Sequence, residues 1–269
     1  MKGSIKMKIV TFAAIKGGVG KTTLAYNLGE DLAKKGKSVL FLDIDHQCNL
    51  TQTYNIFEAE GTIANIFRQK GEVTIHHVKD NIDLIPGYIR LDNIEKDLET
   101  KSFKDMLLYM WLEDNYESKN LGQYDYIIID CHPDFSTATR NAVIVSHAVI
   151  SPVIPSEHGY HAKFNLKERL EELKAETFDY KTRESFVTAK LFFVGNMIKH
   201  NTKSSKELIE ALAEEDDVIG FIPQKELFNR STMDKISLPE MKEDKVIYQH
   251  NKKFFDDLDV TFEEIAAKL

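Results

Sequence analysis

Residues 16–23 read Lys16-Gly17-Gly18-Val19-Gly20-Lys21-Thr22-Thr23, directly after the apolar run Ile9-Val10-Thr11-Phe12-Ala13-Ala14-Ile15. A strand that breaks into glycines and restarts as a helix leaves the first N–H groups of that helix unpaired and converging on one point. Such a turn cradles polyphosphate, and it belongs at the carboxyl edge of a sheet. The spacing gives the backbone of Gly17, Gly18, Val19 and Gly20 to the phosphates. It aims Lys21 at the β- and γ-phosphates and the Thr22 hydroxyl at Mg²⁺, with Thr23 beside it. The general pattern G-x-x-x-x-G-K-[ST] asks for glycine where this chain has Ile15, and it has no use for Lys16. A glycine-rich turn without a ligand is the plain alternative, and it leaves the second lysine unexplained.

Around this loop, apolar runs alternate with helical patterns. Strands are expected at 8–14, 38–42, 82–85, 124–129, 148–154, 190–198 and 218–222. Helices are expected at 21–35, 62–69, 89–98, 102–116, 136–146, 158–176, 203–214, 226–236 and 251–268. Several strands are continuous apolar runs, the mark of burial on both faces. The alternation implies an α/β fold, a doubly wound and mostly parallel sheet flanked by helices. With 269 residues, 42% of them apolar, and only 13 Gly and 6 Pro spread thinly, a single domain over 1–269 is expected, with no linker and no repeat. No signal peptide or membrane span is expected, and two cysteines suggest no disulfide, so the expected compartment is cytoplasmic.

Two strands end in carboxylates. Val39-Leu40-Phe41-Leu42 runs into Asp43-Ile44-Asp45, and Tyr126-Ile127-Ile128-Ile129 runs into Asp130. At the carboxyl edge beside a phosphate loop, one aspartate of the first pair suits the Mg²⁺ shell and the other suits orientation of an attacking water. Asp130 has the form of a Walker B residue that contacts Mg²⁺ through water. The alternative is a polar turn after a strand. His46, Cys48, Cys131 and His132 flank the same region, but their spacing matches no standard zinc pattern and reads as loop filler.

With these motifs in hand, the chain resembles the ParA family of deviant-Walker ATPases, the plasmid and chromosome partition motors. The resemblance rests on Lys16–Thr23, on Asp43-x-Asp45-x-Gln47-x-Asn49-x-Thr51, on Asp130 with Pro133, and on Phe221-Ile222-Pro223. It covers residues 7 to 240 or so, in the small form that lacks an N-terminal helix-turn-helix domain. It implies ATP/ADP and Mg²⁺ as cofactors and an ATP-dependent homodimer. Lys16 then crosses the interface to the partner's nucleotide, and Asp45 positions the hydrolytic water. Asp43 joins Thr22 and Asp130 in the Mg²⁺ region, and Asn196 and the backbone after Pro223 read the adenine. The implied partners are non-specific DNA and a ParB-like centromere-binding protein, with a cytoplasmic, nucleoid-associated location. The family usually has proline where this chain has His46, and small residues where it has Cys131 and His132.

Net charge of −8 argues against a surface coated for nucleic acid. Residues 158–206 are locally different, with ten Lys and Arg against six acids. Lys199, Lys203 and Lys206 are the expected DNA contacts, since no acid intervenes before Glu207. The alternative is a helix laced with ion pairs such as Lys167–Glu171. Other functions on this scaffold are a MinD-like or other cargo-positioning ATPase, a small-molecule ATP-dependent ligase, and an iron–sulfur scaffold. The first needs a basic amphipathic C-terminal helix, and 252–264 is too acidic for one that docks on anionic lipid.

Overall fold

Alternating side chains on two central strands face opposite ways and build two cores. Along β2 (Val39–Ile44), Leu40, Leu42 and Ile44 enter one apolar cluster while Val39 and Phe41 enter the other. Along β5 (Tyr126–Cys131), Ile127 and Ile129 join the first and Ile128 the second. This period of two, apolar on both sides, is what a sheet covered by helices on both faces requires. The structure, a computed structural model, describes residues 7–269; residues 1–6, part of the expected single domain, lie outside the described residues.

The remaining strands are β1 (Lys8–Phe12), β3 (His76–Lys79), β4 (Ile82–Ile85), β6 (Ala148–Val153), β7 (Lys190–Ile198) and β8 (Val218–Pro223). They form one eight-stranded sheet in the order β3-β4-β2-β5-β1-β6-β7-β8. Every pairing is parallel except β3–β4. β1 lies between β5 and β6, where the winding reverses, so the crevice at its carboxyl end is the expected ligand position.

The long helices stand close to their expected places: α1 (Lys21–Lys34), α3 (Ile63–Arg68), α4 (Leu91–Leu98), α5 (Leu107–Asn115), α6 (Thr137–Val145), α7 (Glu157–Glu176), α8 (Lys203–Leu212), α9 (Glu226–Met233) and α12 (Lys252–Lys268). Three short helices were not anticipated: α2 (Asn49–Thr53), α10 (Leu238–Met241) and α11 (Lys245–His250). The start of the expected 102–116 helix is a tight 3₁₀ turn, Lys104–Met106.

Two strand ends differ because of parallel pairing, and a third because of the glycine turn. β2 and β5 each run two residues further than their apolar stretches, because Asp43 pairs in register with Asp130 and Ile44 with Cys131. The chain leaves β1 at Phe12, two residues early, to enter the glycine turn. β3 was missed altogether; its sequence His-His-Val-Lys forms an exposed antiparallel edge on β4. On α12, Phe254, Phe255, Leu258, Phe262 and Ile265 are all buried in the second core, so the apolar face of that helix is already used.

Candidate nucleotide-binding site

The turn between β1 and α1 is held open by its glycines and braced from a distant strand. Gly20 is the residue before α1 and has φ 91°, a left-handed backbone that glycine adopts without strain. A Cβ there would also stand 2.6 Å from the Asn196 amide nitrogen. That amide donates to the Val19 carbonyl at 2.7 Å. Asn196 therefore anchors the loop backbone. It also lines a small crevice of mixed polarity with Leu24, Met197, Pro223, Lys225, Glu226 and Phe228, where the two expected base-reading positions come together.

In front of the turn lies a cleft of about 620 Å³. Gly18, Gly20, Lys21, Thr22 and Thr23 form one wall, Asp45, Gln47 and Asn49 a second, and His132 with Pro133 a third. Lys21 is 6% exposed, and it makes no hydrogen bond or ion pair among the described residues. An ammonium that lines a cleft with no partner of its own is free to meet an anion there.

The Asp43–Thr51 segment divides its labour by alternation. Asp45, Gln47 and Asn49 face the cleft, while Asp43 and Thr51 close the base of the loop. Asp43 Oδ2 accepts from the Thr51 backbone N–H at 2.9 Å and from the Thr51 hydroxyl at 2.7 Å, and Oδ1 accepts from Asp45 N–H at 3.1 Å. Thr51 Oγ1 in turn accepts from Gly87 N–H at 2.8 Å. Burial pushes the Asp43 carboxyl up to about 6, against the Thr51 hydrogen bonds that favour its charge. Asp43, expected in the Mg²⁺ region, has both oxygens engaged by donors of its own loop.

Asp130 is the opposite case. It is fully buried, and neither carboxylate oxygen has a hydrogen-bond partner within normal reach. Burial and the neighbouring Asp43 charge raise its pKa well above the usual carboxylate range, while the Thr22 hydroxyl and the Lys21 charge pull it back. An orphaned buried carboxylate beside a threonine hydroxyl and a phosphate turn is a donor set that fits Mg²⁺, a cation of oxygen ligands and retained water.

Lys16 does not line the cleft of its own chain. Its ammonium donates to Ser156 Oγ at 3.1 Å, and Ser156 caps the start of α7 by accepting from Gly159 N–H. The two lysines of the loop thus point to different places. The cysteines are set apart from the nearby imidazoles: burial pushes the Cys48 thiol up to about 12, and Cys131 is raised by its complete burial.

The expected basic stretch is less basic in space than in sequence. Lys163 pairs with Glu215, and Lys167 pairs with Asp217 at 2.6 Å, both acids from outside the 158–206 window. Lys203 is exposed but sits 3.4 Å from Glu207, while Lys199 and Lys206 are exposed with no ion pair among the described residues. Sequence reasoning missed the far rim of the cleft, Phe57, Thr232 and Lys235. Lys235 reaches the Asn55 side chain and lies 5.9 Å from the Phe57 ring. No local pattern marks these residues, because α9 and the loop after α2 meet only through the tertiary fold.

A phosphate turn at the reversal point of a parallel sheet, with a Walker B aspartate on the adjoining strand, defines a P-loop nucleotide-binding protein. The AAA-domain family model matches residues 7–182. An uncharacterised protein of Methanocaldococcus jannaschii is 30% identical over 237 residues, 81% of this chain and 85% of that one. The sporulation initiation inhibitor protein Soj of Bacillus subtilis is 39% identical, over 54% of this chain and 58% of its own length. A putative plasmid partition protein of Borrelia burgdorferi bound to AMPPNP superposes with a TM-score of 0.79 at 27% identity, covering 97% of this chain and 99% of that one. The chain belongs to the AAA-domain family of P-loop ATPases, on the branch of the ParA and Soj partition proteins.

Proposed function

We propose that this protein is a partition ATPase whose ATP-bound homodimer holds non-specific DNA and lets go on hydrolysis. The observation that carries the proposal is the division between the two loop lysines. Lys21 lines its own cleft with no hydrogen bond or ion pair among the described residues, and Lys16 is directed out of it. A cation that cannot serve its own nucleotide is free to serve a partner's. Two facing protomers would then each give Lys16 to the other's phosphates, after Lys16 leaves Ser156.

In the occupied site, the N–H groups of Gly17, Gly18, Val19 and Gly20 and the start of α1 hold the phosphates. Lys21 neutralises the β- and γ-oxygens. Thr22 and Asp130 would hold Mg²⁺, which when bound offsets charge on the transferring phosphoryl group. Asp45, which lines the cleft, orients the attacking water, its Oδ1 being fixed by the Gln47 N–H at 2.8 Å. Asn196 and the backbone after Pro223 take the adenine. Products are ADP and phosphate, and turnover is slow until a ParB-like centromere-binding partner accelerates it. Dimer stability then follows the γ-phosphate, as any state stabilised by its ligand does.

DNA contact falls to Lys199, Lys203 and Lys206. Lys199 lies three residues beyond Asn196, at the carboxyl edge of β7, so this patch shares a strand end with the nucleotide. A cytoplasmic, nucleoid-associated location follows from that reading. A MinD-like membrane cycle is disfavoured because the apolar face of α12 is buried, and no helix among the described residues is long and apolar enough to cross a membrane.

A gel shift on arbitrary duplex DNA at low salt, with ATP, with ADP and without nucleotide, tests the proposal. Retention with ATP alone, weakening as salt rises, is expected. Equal binding in all three lanes, or none, would refute the nucleotide switch on DNA.

A further inference from the structure

Two histidines beside the cleft have no part in the nucleotide chemistry derived above. His46 follows Asp45, and His132 follows Cys131 at the end of β5. Their rings stack with centroids 3.9 Å apart and planes 30° apart. Asp45 adjoins them, and one ligand atom from each of Asp45, His46 and His132 lies within 4.8 Å of the other two.

A second feature points the same way. His132 Nδ1 is 3.1 Å from Asp134 Oδ2. An ionised carboxylate only accepts, so Nδ1 carries the hydrogen and Nε2 presents its lone pair. Asp134 is itself fixed, accepting at Oδ1 from Ser136 N–H at 3.1 Å and from the Thr139 hydroxyl at 3.4 Å. A carboxylate behind an imidazole is the arrangement that orients histidine toward a metal ion. Asp45 keeps Oδ2 free of any hydrogen bond among the described residues.

We propose that Asp45, His46 and His132 form a site for a transition-metal dication of the Zn²⁺ class, separate from the Mg²⁺ position at Thr22 and Asp130. Two imidazole nitrogens and one carboxylate oxygen select Zn²⁺ or Co²⁺ over Mg²⁺, which prefers oxygen and water. Tetrahedral ligation sets donor atoms about 3.3 Å apart, so the trio closes by up to about 1.5 Å. Both imidazoles are part-exposed and have room to unstack and turn. Three protein ligands leave a fourth position for water or a phosphate oxygen. The thiols of Cys48 and Cys131 are not in the group, which distinguishes this site from a Cys₂His₂ cluster.

The bound ion would tie the Asp45–Thr51 segment to the loop after β5 and occupy the carboxylate that orients water. Inhibition of hydrolysis by Zn²⁺ with nucleotide retained is the consequence, and that consequence alone rests on the proposed ATPase function. The metal site itself is tested without nucleotide. The metal-stripped full chain is titrated with Co²⁺, read by its visible absorption, and then with Zn²⁺ against a chromophoric chelator. One equivalent per chain is expected, with an intense low-coordinate Co²⁺ spectrum. His46→Gln and His132→Gln should each weaken binding more than tenfold, and Asp134→Asn about 10–100-fold. Asp130→Asn should leave it unchanged. Matching cooperative thermal unfolding confirms that each variant is folded. No stoichiometric uptake by the wild type, uptake unchanged in the double histidine variant, or uptake lost with Asp130→Asn would each overturn the site. Normal metal uptake with no ATP turnover would instead strike only the ATPase reading.

Discussion

Asp130→Asn should make the ligand-free protein more stable while abolishing most of its response to Mg²⁺–nucleotide. Asp130 is wholly buried, both of its oxygens lack partners, and Asp43 stands opposite it in register. The penalty has a ceiling, because the folded chain can protonate the group instead of burying its charge. Starting from an ordinary value of 3.8, holding the proton at pH 7 costs about 4 kcal/mol at 1.36 kcal/mol per unit. Asparagine has the same shape without the charge, but its buried amide goes unsatisfied at a cost of about 1–3 kcal/mol. Set against that ceiling, the net gain is at most about 1–3 kcal/mol, and each kcal/mol raises Tm by roughly 2–4 °C in a chain of this size. Differential scanning calorimetry without ligand, with AMPPNP and EDTA, and with AMPPNP and Mg²⁺ measures each term. The wild type at 100 times its dissociation constant should gain about 2.7 kcal/mol, and the variant should lose most of the Mg²⁺-dependent part. A ligand-free variant that melts below the wild type would refute the reasoning, since it would mean that the carboxylate is satisfied in the folded chain.

Lys21→Ala should lose nucleotide binding by about 3 kcal/mol or more, a hundredfold or greater rise in Kd for a fluorescent ATP analogue, because one charge-assisted contact to phosphate is worth about 1.5–3 kcal/mol and Lys21 serves two phosphates. Thr51→Val keeps the shape but removes the hydroxyl between Asp43 Oδ2 and Gly87 N–H, and should lower stability by about 2–3 kcal/mol in urea unfolding; an unchanged midpoint would contradict the loop-closing role. Burial and the Lys8 charge hold the His147 imidazole below its ordinary 6.5, and Ile9 N–H donates to its Nδ1 at 3.0 Å. Its contribution is therefore complete above pH 6.5 and is lost as pH falls through the lower folded value. The wild type should lose more stability than His147→Gln between pH 7.5 and pH 5, and parallel losses would remove His147 as the cause.

The phosphate turn was legible because glycine geometry and helix termini are local properties. The positions of the buried strands along the chain were legible because both-face burial writes itself as apolar runs. What escaped depends on contacts across the fold. β3 carries His-His-Val-Lys on an exposed edge, and no alternation survives there to read. The apolar runs ended at Leu42 and Ile129, yet the strands continue into Asp43–Ile44 and Asp130–Cys131 because parallel pairing carries the ladder past the last hydrophobe. Asp43 and Asp45 looked equivalent at i and i+2; three donors from the following turn turned one inward and left the other at the cleft. The excess of base over acid at 158–206 was a true count, but Glu215 and Asp217 return across β8's approach to neutralise Lys163 and Lys167. Lys16 meets Ser156 across 140 residues, and nothing near either position announces it.

Sedimentation velocity on Asp45→Ala, which should retain ATP, reports most directly on the trans lysine. With Mg²⁺–ATP this protein should sediment as a dimer, and with ADP or no nucleotide as a monomer. Adding Lys16→Ala should leave it monomeric in every condition while ADP binding persists. ATP-dependent dimers that survive Lys16→Ala, or a monomer at saturating ATP in the parent, would contradict the account.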